Sequence, residues 1–113
     1  LNTLEHDSEL LSSAYAACKV FVLPSQFETP GISAMEAALA GANIVITEVG
    51  GPRDYFEEYA NYVSPFSKSS IKTGIQKALK KPKTENLQTH ILQNYTWDKV
   101  AEQTLIQYKR MLK

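Results

Sequence analysis

Val20-Phe21-Val22-Leu23-Pro24-Ser25-Gln26-Phe27-Glu28-Thr29-Pro30-Gly31-Ile32-Ser33-Ala34-Met35-Glu36 decides how the chain reads. Its first four residues are short of polar groups on either face, as in a strand buried within a parallel sheet. Pro24 and Ser25 end that run. From Gly31 to Ala40 the text turns to Ala, Met, Leu and Glu, with Gly41 as a stop, which predicts a helix. A strand that feeds a helix through a short loop puts residues 25–31 at the strand's carboxyl end. Open α/β sheets bind their ligands at that edge.

The loop has the parts of a phosphate site. Gly31 stands where the helix begins, so ligand access to the amides of Gly31, Ile32 and Ser33 is expected. Free amides at a helix start attract anions, phosphate above all. Two carboxylates bracket the amides. Glu28 precedes the helix, and Glu36 lies five residues past Gly31, roughly 7.5 Å along the axis at ~1.5 Å per residue. At ~100° per residue Glu36 falls about 40° from Ile32, beside the apolar stripe of Ile32, Met35 and Leu39. A carboxylate there needs a partner. Sugar, diphosphate and ribose would match the order Glu28, amides, Glu36. The spacing also fits a solvated Glu28 and a Glu36 that bridges to a lysine.

Outward from this stretch, further strands are expected at Ile44-Val45-Ile46-Thr47, ended by Gly50-Gly51-Pro52, and at Asn61-Tyr62-Val63-Ser64, ended by Pro65. Helices are expected over Asp7–Cys18 and Pro52–Tyr59, the latter with proline at a favoured first position. Strand, helix, strand, helix, strand implies right-handed crossovers and a parallel sheet. The remainder is helical: Ser67–Lys80, about Thr84 to Asn94 after the break at Pro82, and about Trp97 to Leu112 capped by Thr96. The last carries an amphipathic stripe that needs a partner surface. The fold class is α/β, a Rossmann-like parallel sheet with flanking helices that ends in C-terminal helices.

Composition limits the function classes. The 113 residues suit one soluble globular domain. Twelve Lys and Arg balance 12 Asp and Glu, which argues against a general nucleic-acid binder. The single cysteine, Cys18, excludes an internal disulfide framework and a multi-cysteine metal site. No apolar run approaches the ~20 residues of a membrane span. The start at Leu1, without Met, suggests a fragment or excised domain.

Phe27-Glu28-Thr29-Pro30-Gly31-Ile32, followed by Ala34-Met35-Glu36-Ala37-Ala38-Leu39-Ala40-Gly41, resembles the E-x7-E region of GT-B-fold glycosyltransferases, most closely the retaining, nucleotide-sugar-dependent family 4 (group 1) type. Tyr15 to Ser25 resembles the helix and strand before that region. Gly50-Gly51-Pro52 resembles the later glycine loop, and Tyr95 to Ala101 the opening of the terminal helix.

The resemblance implies the second half of the C-terminal, nucleotide-sugar-binding domain. The N-terminal domain, and the basic residues that usually grip the diphosphate, would lie outside residues 1–113. It also implies that Glu28 contacts donor-sugar hydroxyls, which makes it the expected catalytic residue. The amides of Gly31 and Ile32 would meet the diphosphate and Glu36 the ribose, with Pro30 counted among the substrate-binding residues. The reaction implied is front-face transfer of a hexosyl group to a glycan or lipid-linked acceptor, with no metal or other cofactor. The implied location is cytoplasmic, with a peripheral contact at the inner membrane face as a secondary expectation.

The chain departs from the family pattern in places. Thr29-Pro30 replaces Gly-Phe and removes one amide. Asn43 stands in place of a usual Pro, and Asp54 in place of a usual Glu. Two alternative functions remain: a non-catalytic α/β nucleotide-binding or interaction module, and part of a GT-B-fold sugar-nucleotide epimerase.

The remaining polar residues read more plainly. Arg53 is expected in a solvent-facing salt bridge, with a phosphate contact as the alternative. Ser25, Gln26 and Glu48 are candidates to shape the donor pocket. His6 and His90 are expected at the surface, Cys18 in the core, and Trp97 as an anchor at a helix start. Lys77, Lys80, Lys81 and Lys83 are expected to form a solvated face, with acidic lipid as the alternative.

Overall fold

A computed structural model describes residues 3–112. Three parallel strands, β1 (Val20–Leu23), β2 (Asn43–Thr47) and β3 (Asn61–Val63), form one sheet in the order β1-β2-β3. Six α-helices accompany it among the described residues: α1 (Glu9–Ala17), α2 (Ile32–Leu39), α3 (Pro52–Phe56), α4 (Lys68–Lys80), α5 (Asn86–Asn94) and α6 (Trp97–Met111). The α/β class and the parallel sheet are as expected from the sequence.

The central strand carries the core. Ile44, Val45 and Ile46 have no exposed surface. Ile44 and Ile46 face a cluster with Ala34, Ala37 and Ala38 of α2, Phe56, and Leu87 and Ile91 of α5. Val45 faces the other side, against Val63 and Ala78 of α4. Alternation along one strand thus supplies both layers.

β1 differs from the expectation of full burial, since all four of its residues are only half-buried. It is the edge of the sheet, with β2 on one side and no strand on the other among the described residues. Burial of an apolar run depends on strand order, which the run itself does not encode.

α4 sits close to the sheet through Gly74. A Cβ there would overlap Val63 Cγ1 and stand 3.3 Å from Val45 Cγ1. Asn43 Nδ2 donates to the carbonyls of Ala78 (3.0 Å) and Lys81 (3.2 Å). That explains an amide side chain where the family pattern has proline: it closes the C-terminus of α4. Lys77, Lys80, Lys81 and Lys83 are exposed, and Lys83 Nζ donates to the Cys18 carbonyl.

The expected helix over Pro52–Tyr59 ends at Phe56 and continues as a 3-10 turn over Glu57–Tyr59. Glu57 has φ +49°, a conformation few non-glycine residues adopt. The Tyr62 hydroxyl donates to its carbonyl.

α6 begins at the Thr96 cap and has no buried residue. The long axis of the molecule is 52 Å against 31 and 28 Å for the others. Trp97, expected as an anchor, is 86% exposed.

Candidate functional site

The site is built on the loop between β1 and α2. Pairing of β1 with β2 continues past the strand ends as an isolated parallel bridge between Glu28 and Gly50. The Glu28 amide donates to the Val49 carbonyl (3.3 Å), and the Gly51 amide donates to the Glu28 carbonyl (2.9 Å). Both backbone groups of Glu28 are therefore occupied, which holds its Cα against the glycine loop. The side chain is fixed too: Ser25 Oγ donates to Glu28 Oε1 at 2.7 Å. Ser25 thus acts on the candidate site by holding the carboxylate.

Gly31 is the N-cap of α2, with φ +81° and no side-chain cap. Its lack of a Cβ also serves the interior. A Cβ would meet Ile46 Cδ1 at 3.0 Å and Leu23 Cδ2 at 3.6 Å. The left-handed backbone and the close approach to β2 are what require glycine. The first-turn amides of Ile32 and Ser33 keep the expected place at the carboxyl edge of the sheet, and the Ile32 side chain is 63% exposed.

Glu36 lies about one turn past Ile32, roughly 6 Å along the axis. Among the described residues it has no bridge to a lysine. The Tyr15 hydroxyl of α1 donates to its Oε2 at 3.1 Å, and His6 Nδ1 lies 3.7 Å from its Oε1. Burial, and then the hydrogen bond and charge of Glu36, push the Tyr15 phenol above its ordinary value.

Pro30, Ile32 and Glu36 line one groove of about 430 Å³, together with Met35, Tyr55, Tyr95, Trp97 and Val100. Glu28 and Gly31 are not part of its lining. The structure thus brings three of the five expected residues onto one surface and sets Glu28 on the loop before it.

Two other expectations, for Arg53 and His90, are corrected. Arg53 lays its guanidinium over the Tyr62 ring, 4.1 Å from the centroid, in place of a salt bridge. The His90 side chain is only 12% exposed, not a surface group. Its Nε2 donates to the Tyr55 carbonyl at 2.8 Å, because a carbonyl can only accept. That ring pins α5 to α3. Thr47 is wholly buried, and its Oγ1 accepts from the Val49 amide. Glu48 is exposed. Cys18 is half-buried against the core.

The Tyr15 contact with Glu36 and the packing of the Gly50-Gly51 pair on Glu28 are contributions that sequence reasoning missed. Tyr15 falls within the helix expected over Asp7–Cys18, and the signal available is that a tyrosine packed on a core has a polar tip that needs a partner. Among the described residues no group of three or more His, Cys, Asp or Glu side chains could hold a metal ion. No helix among the described residues is long and apolar enough to cross a membrane.

Comparison with known proteins places this architecture. An uncharacterized glycosyltransferase of Methanocaldococcus jannaschii is 30% identical over 110 residues, covering 91% of this chain and 28% of the relative. A glycogen synthase of Clostridium botulinum is 29% identical over 121 residues, covering 96% of this chain and 25% of the relative. The chain therefore spans only about a quarter of the length of these relatives. A solved sucrose-phosphate synthase from Thermosynechococcus elongatus superposes with TM-score 0.83 at 27% identity, covering 99% of this chain and 29% of that one. The catalytic domain of starch synthase IV from Arabidopsis thaliana, at TM-score 0.68 and 22% identity, shares the fold over 95% of this chain and 25% of that one. The profile of the family described as "Glycosyl transferases group 1" matches residues 3–94, and this chain, with the α/β fold of GT-B glycosyltransferases, belongs to that family.

Proposed function

We propose that the chain is the donor-binding portion of a retaining, nucleotide-sugar-dependent glycosyltransferase of the family 4 type. The whole protein would transfer a hexosyl group to a glycan or lipid-linked acceptor. The observation that carries this reading is the start of α2: an N-terminus without a side-chain cap, a carboxylate held on the loop before it, and a second one about a turn inside it.

In this reading the diphosphate rests on the amides of Ile32 and Ser33, where the helix dipole adds to the hydrogen bonds. Pro30 lends rigidity and no donor. Ribose hydroxyls donate to Glu36, and hydroxyls of the donor sugar donate to Glu28. The bond from the anomeric carbon to the diphosphate oxygen breaks with its electron pair leaving on the diphosphate. The acceptor hydroxyl attacks from the same face and gives its proton to the departing phosphate oxygen. Donors aimed at that leaving charge lower the barrier. The reading uses helix amides for this, with basic side chains from the rest of the protein, and assigns no role to a metal. It places the protein in the cytoplasm.

Calorimetry with ADP, GDP and UDP tests the assignment. Weak binding of at least one, reduced about tenfold or more by Glu36→Ala, is expected for a lost charged hydrogen-bond partner. Binding that is unchanged by Glu36→Ala would overturn it.

A further inference from the structure

We propose that Tyr15 is a positioning residue for Glu36 and, through it, raises the selectivity of this site for a nucleotide that carries ribose hydroxyls. The inference rests on the reading that Glu36 accepts those hydroxyls.

Glu36 is the only charged residue of α2 and, at ~100° per residue, lies away from the buried Ala34 and Ala38, beside exposed Ile32 and partly buried Leu39. Its side chain is 30% exposed. A carboxylate in that setting is held by hydrogen bonds or turns outward. Tyr15 supplies the bond from α1, 21 residues earlier in the chain.

The Tyr15 ring is itself fixed. It packs on the core cluster and lies 5.9 Å from the Phe21 ring of β1 at an interplanar angle of 54°. Its hydroxyl therefore reaches Oε2 from a set position. A carboxylate can only accept, so the direction of the bond is settled. Oε2 is the held oxygen. Oε1 faces the 85% exposed His6 at 3.7 Å, a solvent-side contact that an arriving hydroxyl can displace. Glu36 meanwhile lines the groove with Pro30 and Ile32. One oxygen is thus anchored while the other is left to the groove.

A glutamate free to rotate would have to be ordered when a ligand binds, and a tethered one has been ordered in advance. The benefit falls only on ligands that use Glu36. A purely structural tie between α1 and α2 would change the affinity of every ligand alike.

The test uses the wild-type chain, Tyr15→Phe, Glu36→Gln and the double variant. The probes are the best-bound nucleoside diphosphate and its 2′,3′-dideoxy counterpart. The wild type should prefer the ribose form, and Glu36→Gln should remove the preference. Tyr15→Phe should cut it about three- to tenfold, through weaker binding of the ribose form alone. The double variant should match Glu36→Gln. Full preference in Tyr15→Phe, with loss in Glu36→Gln, would overturn the inference and leave the functional reading intact. Equal loss for both probes in Tyr15→Phe would make the tie structural only and also overturn it. A preference unaffected by Glu36→Gln would overturn the reading beneath it, and the inference with it.

Discussion

The backbone of Gly50 lies directly against that of Glu28, in a parallel bridge that extends the β1–β2 pairing into the loop. A Cβ on Gly50 would overlap the Glu28 carbonyl oxygen, and Gly50 has φ +102°. Gly50→Ala must therefore both strain its own backbone and push Glu28 away. The left-handed conformation alone costs about 1–2 kcal/mol for a residue with a Cβ, and the clash with backbone adds to it. A loss of about 2 kcal/mol or more is expected in chemical denaturation. Gly41→Ala has open space around its Cβ and meets only the backbone cost at φ +97°, so it should lose less. Equal losses would deny the contact with Glu28 its role.

The Gly74 contact makes a second prediction. Alanine favours a helix over glycine by about 1 kcal/mol, so Gly74→Ala would stabilise an exposed helix. Here the added methyl overlaps Val63 Cγ1 across the α4–sheet contact. Overpacking of this kind costs about 1–3 kcal/mol. Net destabilisation is expected on thermal unfolding, while exposed Thr73→Ala on the same helix should be close to neutral. A stabilised Gly74→Ala variant would mean that α4 can move off the sheet.

Much of this architecture was legible in the sequence, and the exceptions share a cause. Ile44-Val45-Ile46 reads as a strand covered on both faces, and it is so, because a run without polar groups has no other stable place. The helix from Ile32 and the two carboxylates around its start follow from local text. What was not legible depends on residues distant in the chain. Val20–Leu23 has the same apolar character as β2 but is an edge. Gly31 and Gly50 are explained by neighbours, Ile46 and Glu28, that no local pattern names. His90 is enclosed because α5 folds back on α3, where the carbonyl of Tyr55, 35 positions earlier, accepts a hydrogen bond from its ring. The tie of Tyr15 to Glu36 likewise spans 21 positions.

Alkaline pH should weaken the fold. Burial pushes the Tyr62 phenol up from 10.0 to about 12, with the Arg53 charge opposing that rise. Tyr15 and Tyr95 are raised too, both first by burial. Below pH 10 these groups are protonated in the folded and unfolded chain alike, so their contribution is intact. Above pH 10 the unfolded chain gives up its protons first, and stability falls until the folded phenols also titrate. Denaturation midpoints should decline from pH 10 towards 12, and less steeply in Tyr62→Phe. A midpoint that rises over that range would contradict the burial of these phenols.

Trp97 is the sole tryptophan, and its 86% exposure is readable in fluorescence. The chain should emit at the long wavelength of a solvated indole and be quenched readily by acrylamide. A blue-shifted, protected emission would show that something covers the start of α6.

The proposed function requires that α2 receive a diphosphate at its start. Amide chemical shifts followed during titration with a nucleoside diphosphate test it most directly. The largest shifts are expected at Ile32 and Ser33, with smaller ones near Glu36, and little change at Ser70, whose amide is already bonded to Ser67 Oγ at 3.1 Å. Saturating shifts elsewhere that leave Ile32 and Ser33 unmoved would contradict it.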